Sequence, residues 1–192
     1  NSGRPVFYST PDLRLDLEDG EWLPVCLDVN AWRTDAPLLE RAKPRVLHIP
    51  SKRIPPIKGT QFVDPVLRKL DDAGKIEYVC PESVPHSEMR SLVHDVDIVV
   101  DQLLAGSYGV AAIESMSAGR VTVGRLAPPV LDLMPEVPPI VQATPDELEE
   151  TIVTIVENRD HYRRLGREGI SFAHVWHSGK ASATALRSYL AR

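Results

Sequence analysis

The loop at residues 51–60, SKRIPPIKGT, concentrates positive charge in a way that suits phosphate binding. It contains Lys52, Arg53 and Lys58, and two prolines stiffen the backbone between the last two cations. Arginine offers a planar fork of donors to phosphate oxygens, and lysine offers a point charge. The spacing of Arg53 and Lys58 would suit a diphosphate, although the loop taken alone is more typical of a solvated basic surface.

A second loop, residues 106–109 (GSYG), opens a helix that we predict from about Gly109 to Ala118. Glycine lets the backbone approach a ligand closely, and the free N–H groups at the start of a helix attract anions. A Gly-x-x-Gly turn is a weak signal by itself. The chain has neither the lysine motif of P-loop kinases nor the complete Gly-x-Gly-x-x-Gly fingerprint of nicotinamide enzymes, which disfavours both classes.

Glu114 is the lone acid of this helix, whose other residues are apolar or small. A helix without a polar face belongs inside a domain, where an ionised carboxylate is costly unless it is paired or hydrogen-bonded. Two partners fit the residues equally well. One is the vicinal diol of a ribose, and the other is a buried ion pair with Arg53 or Lys58.

The elements that must position these groups alternate from residue 45 onward. Strands are predicted at 45–49, 76–79, 97–100 and 121–123, and helices at 60–73, 85–94, 109–118, 145–158 (with Thr144 as N-cap), 161–174 and 179–190. This alternation predicts an α/β fold: a Rossmann-like parallel sheet with helices on both faces. Ligands bind beyond the carboxyl ends of such strands, which brings the loops 50–59, 80–85 and 101–109 to one edge.

Residues 1–44 do not follow the alternation. Short strands are expected within VFYST (6–10) and WLPVC (22–26), followed by an irregular stretch at 28–37. We interpret residues 1–44 as a remnant of a preceding domain with its connection, and residues 45–192 as one α/β domain that includes the C-terminal helices.

Composition excludes several classes of protein. The formal charge of −5 argues against nucleic acid as a partner, because phosphate backbones require a basic face. No apolar run approaches the ~20 residues of a transmembrane helix, and no secretion leader is visible. Two cysteines make neither a disulfide framework nor a metal knuckle. We therefore expect a cytoplasmic protein without a transmembrane segment.

The remaining polar candidates are interpreted as structural. We expect His48 to be a packed core histidine, His86 a capping or surface residue, and His177 a packing residue before the last helix. Acids near strand ends could suggest magnesium, but such acids are common in parallel sheets, so no metal is expected at Asp95, Asp97 and Asp101.

Together, the loops and the lone acid resemble the C-terminal nucleotide-sugar-binding domain of GT-B glycosyltransferases, particularly the retaining family 4 type and bacterial polysaccharide-associated transferases. In that family a strand is followed by Gly-Arg, four residues and Lys-Gly, and HIPSKRIPPIKGT has Arg53 and Lys58 at the same offset. The family's Glu-Pro-Phe-Gly, apolar run and Glu-Ala-Met-Ala-x-Gly align without a gap with GSYGVAAIESMSAG. The resemblance covers about residues 45–192.

The resemblance implies a role for each matching position. Arg53 and Lys58 would contact the diphosphate of a nucleotide-diphosphate sugar and stabilise the charge on the leaving nucleotide. Glu114 would hold the ribose hydroxyls, and Glu82 and Val84 would border the base. The loop that faces the diphosphate and the transferred sugar would be formed by Gly106, Ser107, Tyr108, Gly109 and Val110. Such enzymes need neither a metal nor another cofactor, because the cations and the helix dipole serve instead.

Two departures limit what the resemblance implies. The family's first glutamate, which touches the transferred sugar, is replaced by Gly106, so the sugar is open. The acceptor site of the family lies in an N-terminal domain of which residues 1–44 resemble only the end, so we expect this chain alone to bind donor without transferring sugar. Two alternatives remain: a nucleotide-sugar epimerase, and a non-catalytic doubly wound binding module with Glu114 in an ion pair.

Overall fold

A parallel five-stranded sheet covered by helices organises this computed structural model, which describes residues 5–50, 58–81 and 83–190. In chain order the elements are β1 (Phe7–Tyr8), a 3₁₀ helix (Pro11–Leu15), β2 (Glu21–Trp22), α1 (Val29–Trp32), β3 (Arg45–His48), α2 (Thr60–Asp72), β4 (Glu77–Val79), α3 (His86–His94), β5 (Ile98–Val100), α4 (Val110–Ser117), β6 (Val121–Gly124), α5 (Pro128–Leu133), β7 (Ile140–Gln142), α6 (Leu148–Glu157), α7 (Arg159–His177) and α8 (Lys180–Leu190).

The order of the strands in the sheet is β4-β3-β5-β6-β7. From β3 the chain passes through α2 to β4 on one side, and then returns through α3 to place β5 on the other side of β3. The direction of winding therefore reverses between β3 and β5. In doubly wound sheets this reversal leaves a crevice at the carboxyl ends of the two strands, where ligands bind.

Successive side chains along each strand point to opposite faces of the sheet, so each face packs in its own apolar cluster. Val46, Ile98 and Val121 face α2 and α6 in one apolar cluster, whereas Leu47 and Val99 face the opposite side. On that opposite side a further cluster joins α4 to α7 through Ile113, Met116, Phe172 and Ala173. The predicted Rossmann-like parallel sheet with helices on both faces is confirmed.

Residues 5–44 pack on the last two helices. β1 and β2 form a small parallel pair, and Trp22 stacks on Trp176 of α7 with ring centroids 5.3 Å apart. Ser182 of α8 donates a 2.6 Å hydrogen bond to the carbonyl of Pro24. The assignment of residues 1–44 to a preceding domain stays a prediction.

Three local predictions differ from the structure. The helix expected at 145–158 begins at Leu148, because Glu147 turns back and accepts hydrogen bonds from the N–H and hydroxyl of Thr144 at 3.0 and 2.8 Å. The stretch expected to be irregular contains α1, which Asp28 caps by accepting from the Ala31 N–H at 3.1 Å. The short elements α5 and β7 were not predicted at all.

None of the helices in the described ranges is long and apolar enough to cross a membrane.

Candidate functional site

The crevice between β3 and β5 is bounded by the loops that follow these two strands. The N–H of Leu103, in the loop after β5, donates to the carbonyl of Lys58, in the loop after β3, at 3.2 Å. Gly59 has a φ of +83°, and a Cβ atom there would lie 3.2 Å from Cγ of Leu104. The two loops are therefore fixed against each other at the end of the loop that carries the predicted cations.

Lys58 pairs with an acid that the sequence did not single out as its partner. Its ammonium lies 2.8 Å from Oδ1 of Asp101, the residue directly after β5. The side chains of Lys58 and Asp101 are 14% and 3% exposed. The alternative prediction of an ion pair between Lys58 and Glu114 is therefore wrong, since the acid that pairs with Lys58 in the described part of the chain is Asp101. Arg53, the other candidate, lies outside them.

The loop before α4 is held in a shape that favours glycine at its first position. Gly106 has a φ of +70°, and a Cβ atom there would lie 3.1 Å from Cβ of Ala127. The Gly106 carbonyl accepts from the N–H of Ala127 at 2.8 Å, and the Ser107 carbonyl accepts from the side-chain amide of Gln102 at 2.5 Å. The absence of the family's glutamate at position 106 thus coincides with a backbone conformation that disfavours any side chain.

The first turn of α4 has backbone N–H groups that no side-chain cap satisfies in the described part of the chain. Its N-cap is Gly109. The free N–H groups of this turn and the helix dipole favour an anion. Next to it, the hydroxyl of Ser107 is buried without a hydrogen-bond partner in the described part of the chain. Val110, the first residue of the helix, is exposed.

Glu114 lies one turn further along and is only 6% exposed. Its side chain makes no hydrogen bond to another described residue. Burial is the main cause that raises the pKa of Glu114; the charges of His86 and Lys58 act in the opposite direction, and that of Asp101 adds to the rise. The Glu114 carboxyl is therefore within electrostatic range of Lys58 and Asp101, which pair with each other between the loops after β3 and β5.

Tyr108 differs from its neighbours because its side chain points into the protein. Its hydroxyl lies 3.1 Å from Nε2 of His177, and its ring meets the ring of Phe172 edge to face. Burial raises the pKa of Tyr108 well above its usual value. His177 Nδ1 lies 2.9 Å from the carbonyl of Val25, so its predicted packing role is confirmed. At position 108 only the backbone can face a ligand.

Of the other candidate residues, His48 lies in the core and Val84 lies in a loop at the surface. His48 is fully buried, with Nδ1 2.9 Å from the Val100 carbonyl and Nε2 2.9 Å from the Thr60 hydroxyl, so the predicted core histidine is confirmed. Its burial lowers the pKa of His48. Val84 is half-buried in the loop between β4 and α3, whereas Glu82 lies outside the described residues.

His86 lies on the surface at the start of α3, so the surface role expected for it is confirmed. The capping alternative is not realised, because α3 has no side-chain cap in the described structure. The charge of His86 acts to lower the pKa of Glu114. The sequence did not predict this interaction, because it depends on the packing of α3 beside α4.

The three acids considered for magnesium do not converge. Asp97 lies at the amino end of β5 and Asp101 at its carboxyl end, so the strand separates them. Within residues 5–50, 58–81 and 83–190, no group of three or more histidine, cysteine or acidic residues could hold a metal ion.

The fold is that of the C-terminal domain of GT-B glycosyltransferases. A structure of Anabaena Alr3699/HepE in complex with UDP and glucose superposes with a TM-score of 0.70 at 13% identity, over 97% of this chain and 62% of that one. Sucrose-phosphate synthase from Thermosynechococcus elongatus gives 0.71 at 14% identity, over 96% and 57%.

A third structure consists of the corresponding domain alone. The C-terminal domain of the group 1 glycosyl transferase LpcC from Francisella tularensis gives a TM-score of 0.56 at 12% identity, over 78% of this chain and 97% of that one. No protein-family model and no curated protein sequence matches the chain. The similarity therefore establishes the fold, and the chain spans less than two thirds of the HepE and sucrose-phosphate synthase chains.

Proposed function

We propose that this chain is the donor-binding part of a glycosyltransferase and that it binds a nucleotide-diphosphate sugar in the crevice between β3 and β5. The observation that carries the proposal is Glu114, a residue only 6% exposed that lies one turn after the uncapped start of α4 and makes no side-chain hydrogen bond to another described residue. A carboxylate in largely apolar surroundings is stabilised by hydrogen-bond donors, and the two hydroxyls of a ribose would supply them.

Each part of the donor has a matching part of the crevice. Glu114 accepts the ribose hydroxyls, and the N–H groups at the start of α4 face the diphosphate. Lys58 supplies a cation at the same edge, and we assign Arg53 the same task from its place in the sequence motif. Glu82 and Val84 belong to the loop that borders the base. No metal is needed in this scheme.

The reaction is transfer of the sugar to an acceptor hydroxyl. The bond between the anomeric carbon and the terminal phosphate oxygen breaks, and its electron pair stays on the phosphate. The acceptor oxygen bonds to the anomeric carbon, and the hydroxyl proton passes to the departing phosphate or to water. Lys58, Arg53 and the start of α4 stabilise the charge that develops on the nucleotide. HepE with UDP and glucose supports a hexosyl donor with UDP as the first nucleotide to test.

We further propose that the acceptor site lies in a domain outside this chain, which spans less than two thirds of the compared enzymes. The chain by itself should then bind donor and transfer no sugar. Sugar transfer to any acceptor by this chain alone would contradict the proposal. We also propose a cytoplasmic location, because the chain has two cysteines and so lacks the disulfide framework typical of small secreted domains.

Calorimetric titration of the chain with UDP, GDP and ADP tests the proposed function. One nucleotide should bind, and Glu114→Gln and Arg53→Ala should each weaken it by about 1–3 kcal/mol, because each removes a charge-assisted hydrogen bond. Glu150→Gln, on the exposed side of α6, is the matched control and should leave binding unchanged. If none of the three nucleotides binds at millimolar concentration, the chain is a binding module of another kind.

A further inference from the structure

Asp101 places a negative charge where the proposed function requires a positive surface. Its carboxylate is 3% exposed and contacts the Lys58 ammonium at 2.8 Å as an ion pair rather than as an aligned hydrogen bond. Its second oxygen, Oδ2, has no hydrogen-bond partner among the described residues and lies 4.0 Å from where a Cβ atom on Gly109 would stand. Asp101 therefore faces both Lys58 and the start of α4.

These are the same two features that would attract a diphosphate. A carboxylate beside a lysine and a helix start competes with any anion that approaches them. Stability does not explain such a pair, because buried ion pairs contribute little net free energy compared with apolar residues of similar volume. The negative charge also acts on the neighbouring site, where Asp101 contributes to the raised pKa of Glu114.

We propose that Asp101 is a specificity-determining residue that weakens binding of the nucleotide product more than binding of the sugar donor. This proposal rests on the proposed function. When the sugar leaves, the terminal phosphate gains an ionisable oxygen, so the product carries more negative charge than the donor. A fixed carboxylate at this position repels the more highly charged molecule more strongly. The donor is then favoured over the product, which is released more readily.

Titration of the Asp101→Asn variant with UDP, UDP-glucose and uridine tests this inference. The variant keeps the shape of the side chain and removes its charge. UDP should bind about tenfold more tightly than to the wild type, UDP-glucose should gain less, and uridine should be unchanged, since it carries no phosphate. Asp95→Asn is the matched control: it removes the same charge at the other end of β5, and its affinity for UDP should equal that of the wild type.

The inference is overturned if Asp101→Asn binds UDP no more tightly than the wild type, if uridine gains equally, or if Asp95→Asn gives the same increase. Should Asp101→Asn not fold, the Lys58→Met variant and the Lys58→Met, Asp101→Leu double variant replace it. The double variant should bind UDP more tightly than the single one, and equal affinities would overturn the inference. A wild type that binds none of UDP, GDP and ADP overturns the proposed function as well, whereas a binding wild type with unresponsive variants overturns the role of Asp101 alone.

Discussion

The two ends of β5 each carry a buried aspartate, and the fold treats them in opposite ways. At the amino end, Asp97 is fully buried and accepts the backbone N–H groups of Leu39 at 2.6 Å and Arg45 at 2.8 Å. At the carboxyl end, Asp101 is almost as deeply buried, but Lys58 is its one ion-pair partner in the described part of the chain. A satisfied acid is typical of structure, and an unsatisfied acid at the ligand edge is typical of function.

The same difference extends to the neighbours of each acid. Near Asp97, the buried guanidinium of Arg120 donates to the carbonyls of Ala36, Pro37 and Val96 at 2.9 to 3.2 Å. Near Asp101, the Ser107 hydroxyl is buried without a hydrogen-bond partner among the described residues. The amino edge of the sheet is thus a closed polar network, while the carboxyl edge keeps its polar groups available.

The largest expected difference between the two ends of β5 is in stability, and it is tested by substituting each of the two acids in turn. Asp97→Ala leaves two backbone N–H groups buried without an acceptor, so we expect a loss of about 3 kcal/mol or more in the free energy of unfolding. Asp101→Asn should cost less, about 1–2 kcal/mol, because it removes the charge partner of the Lys58 ammonium but leaves no backbone group unpaired. Urea denaturation of both variants gives the values, and equal losses would refute the distinction.

A smaller effect should separate Gly106 and Gly109, the two glycines of the loop before α4. Gly106→Ala forces a side chain into a φ of +70° and against Ala127, which should lower the free energy of unfolding by about 2 kcal/mol. Gly109 has a φ of −114°, and the nearest described atom to a Cβ there, Oδ2 of Asp101, lies 4.0 Å away, so Gly109→Ala should alter stability by less than about 0.5 kcal/mol. The Gly109→Ala variant should nonetheless weaken UDP binding, since its methyl group stands at the mouth of the crevice. Thermal unfolding and titration of both variants check this division.

Tyr108→Phe should lower the stability of the fold without changing the affinity for the ligand. The substitution removes the hydroxyl that lies 3.1 Å from His177 Nε2, and we expect a loss of about 1 kcal/mol in stability. The affinity for UDP should not change, because the ring points away from the crevice. A loss of affinity without a loss of stability would show that the side chain takes part in binding.

The smallest expected effect is a pH dependence at Glu114. Burial raises the folded-state pKa above the ordinary value of 4.5, so the folded protein holds this proton more tightly than the unfolded chain does. The contribution of Glu114 to stability therefore falls as the pH rises through the window from the unfolded pKa to the folded one. Glu114→Gln cannot ionise, so its stability relative to the wild type should increase across that window. Urea denaturation at several pH values measures the difference.

The sequence predicted the sheet because its strands are short apolar runs separated by periodic helices, and β3, β5 and β6 are buried on both faces. It also predicted that Glu114 would be buried, since α4 has no polar face. It did not predict the partner of Lys58. Asp101 was one of several strand-end acids, and only the pairing of β3 with β5 brings the loops after them into contact.

The direction of the Tyr108 side chain could likewise not be predicted from the sequence. A tyrosine between glycines reads as a turn residue, and its burial depends on α7 and on the carbonyl of Val25 that orients His177. The short elements α1, α5 and β7 carry too few residues for a period to be visible. A long helical period or an uninterrupted apolar run is enough to predict a helix or a strand from the sequence. A contact between loops that are distant in the sequence cannot be predicted in this way.

The geometry at Gly106 bears on how a chain like this one can diverge. A glutamate at this position would have to adopt a φ of +70°, which residues with a side chain rarely adopt, and its Cβ would lie 3.1 Å from Cβ of Ala127. Because the two residues are in contact, the cost of a side chain at position 106 depends on the residue at position 127. Positions 106 and 127 are therefore expected to vary together among relatives of this chain.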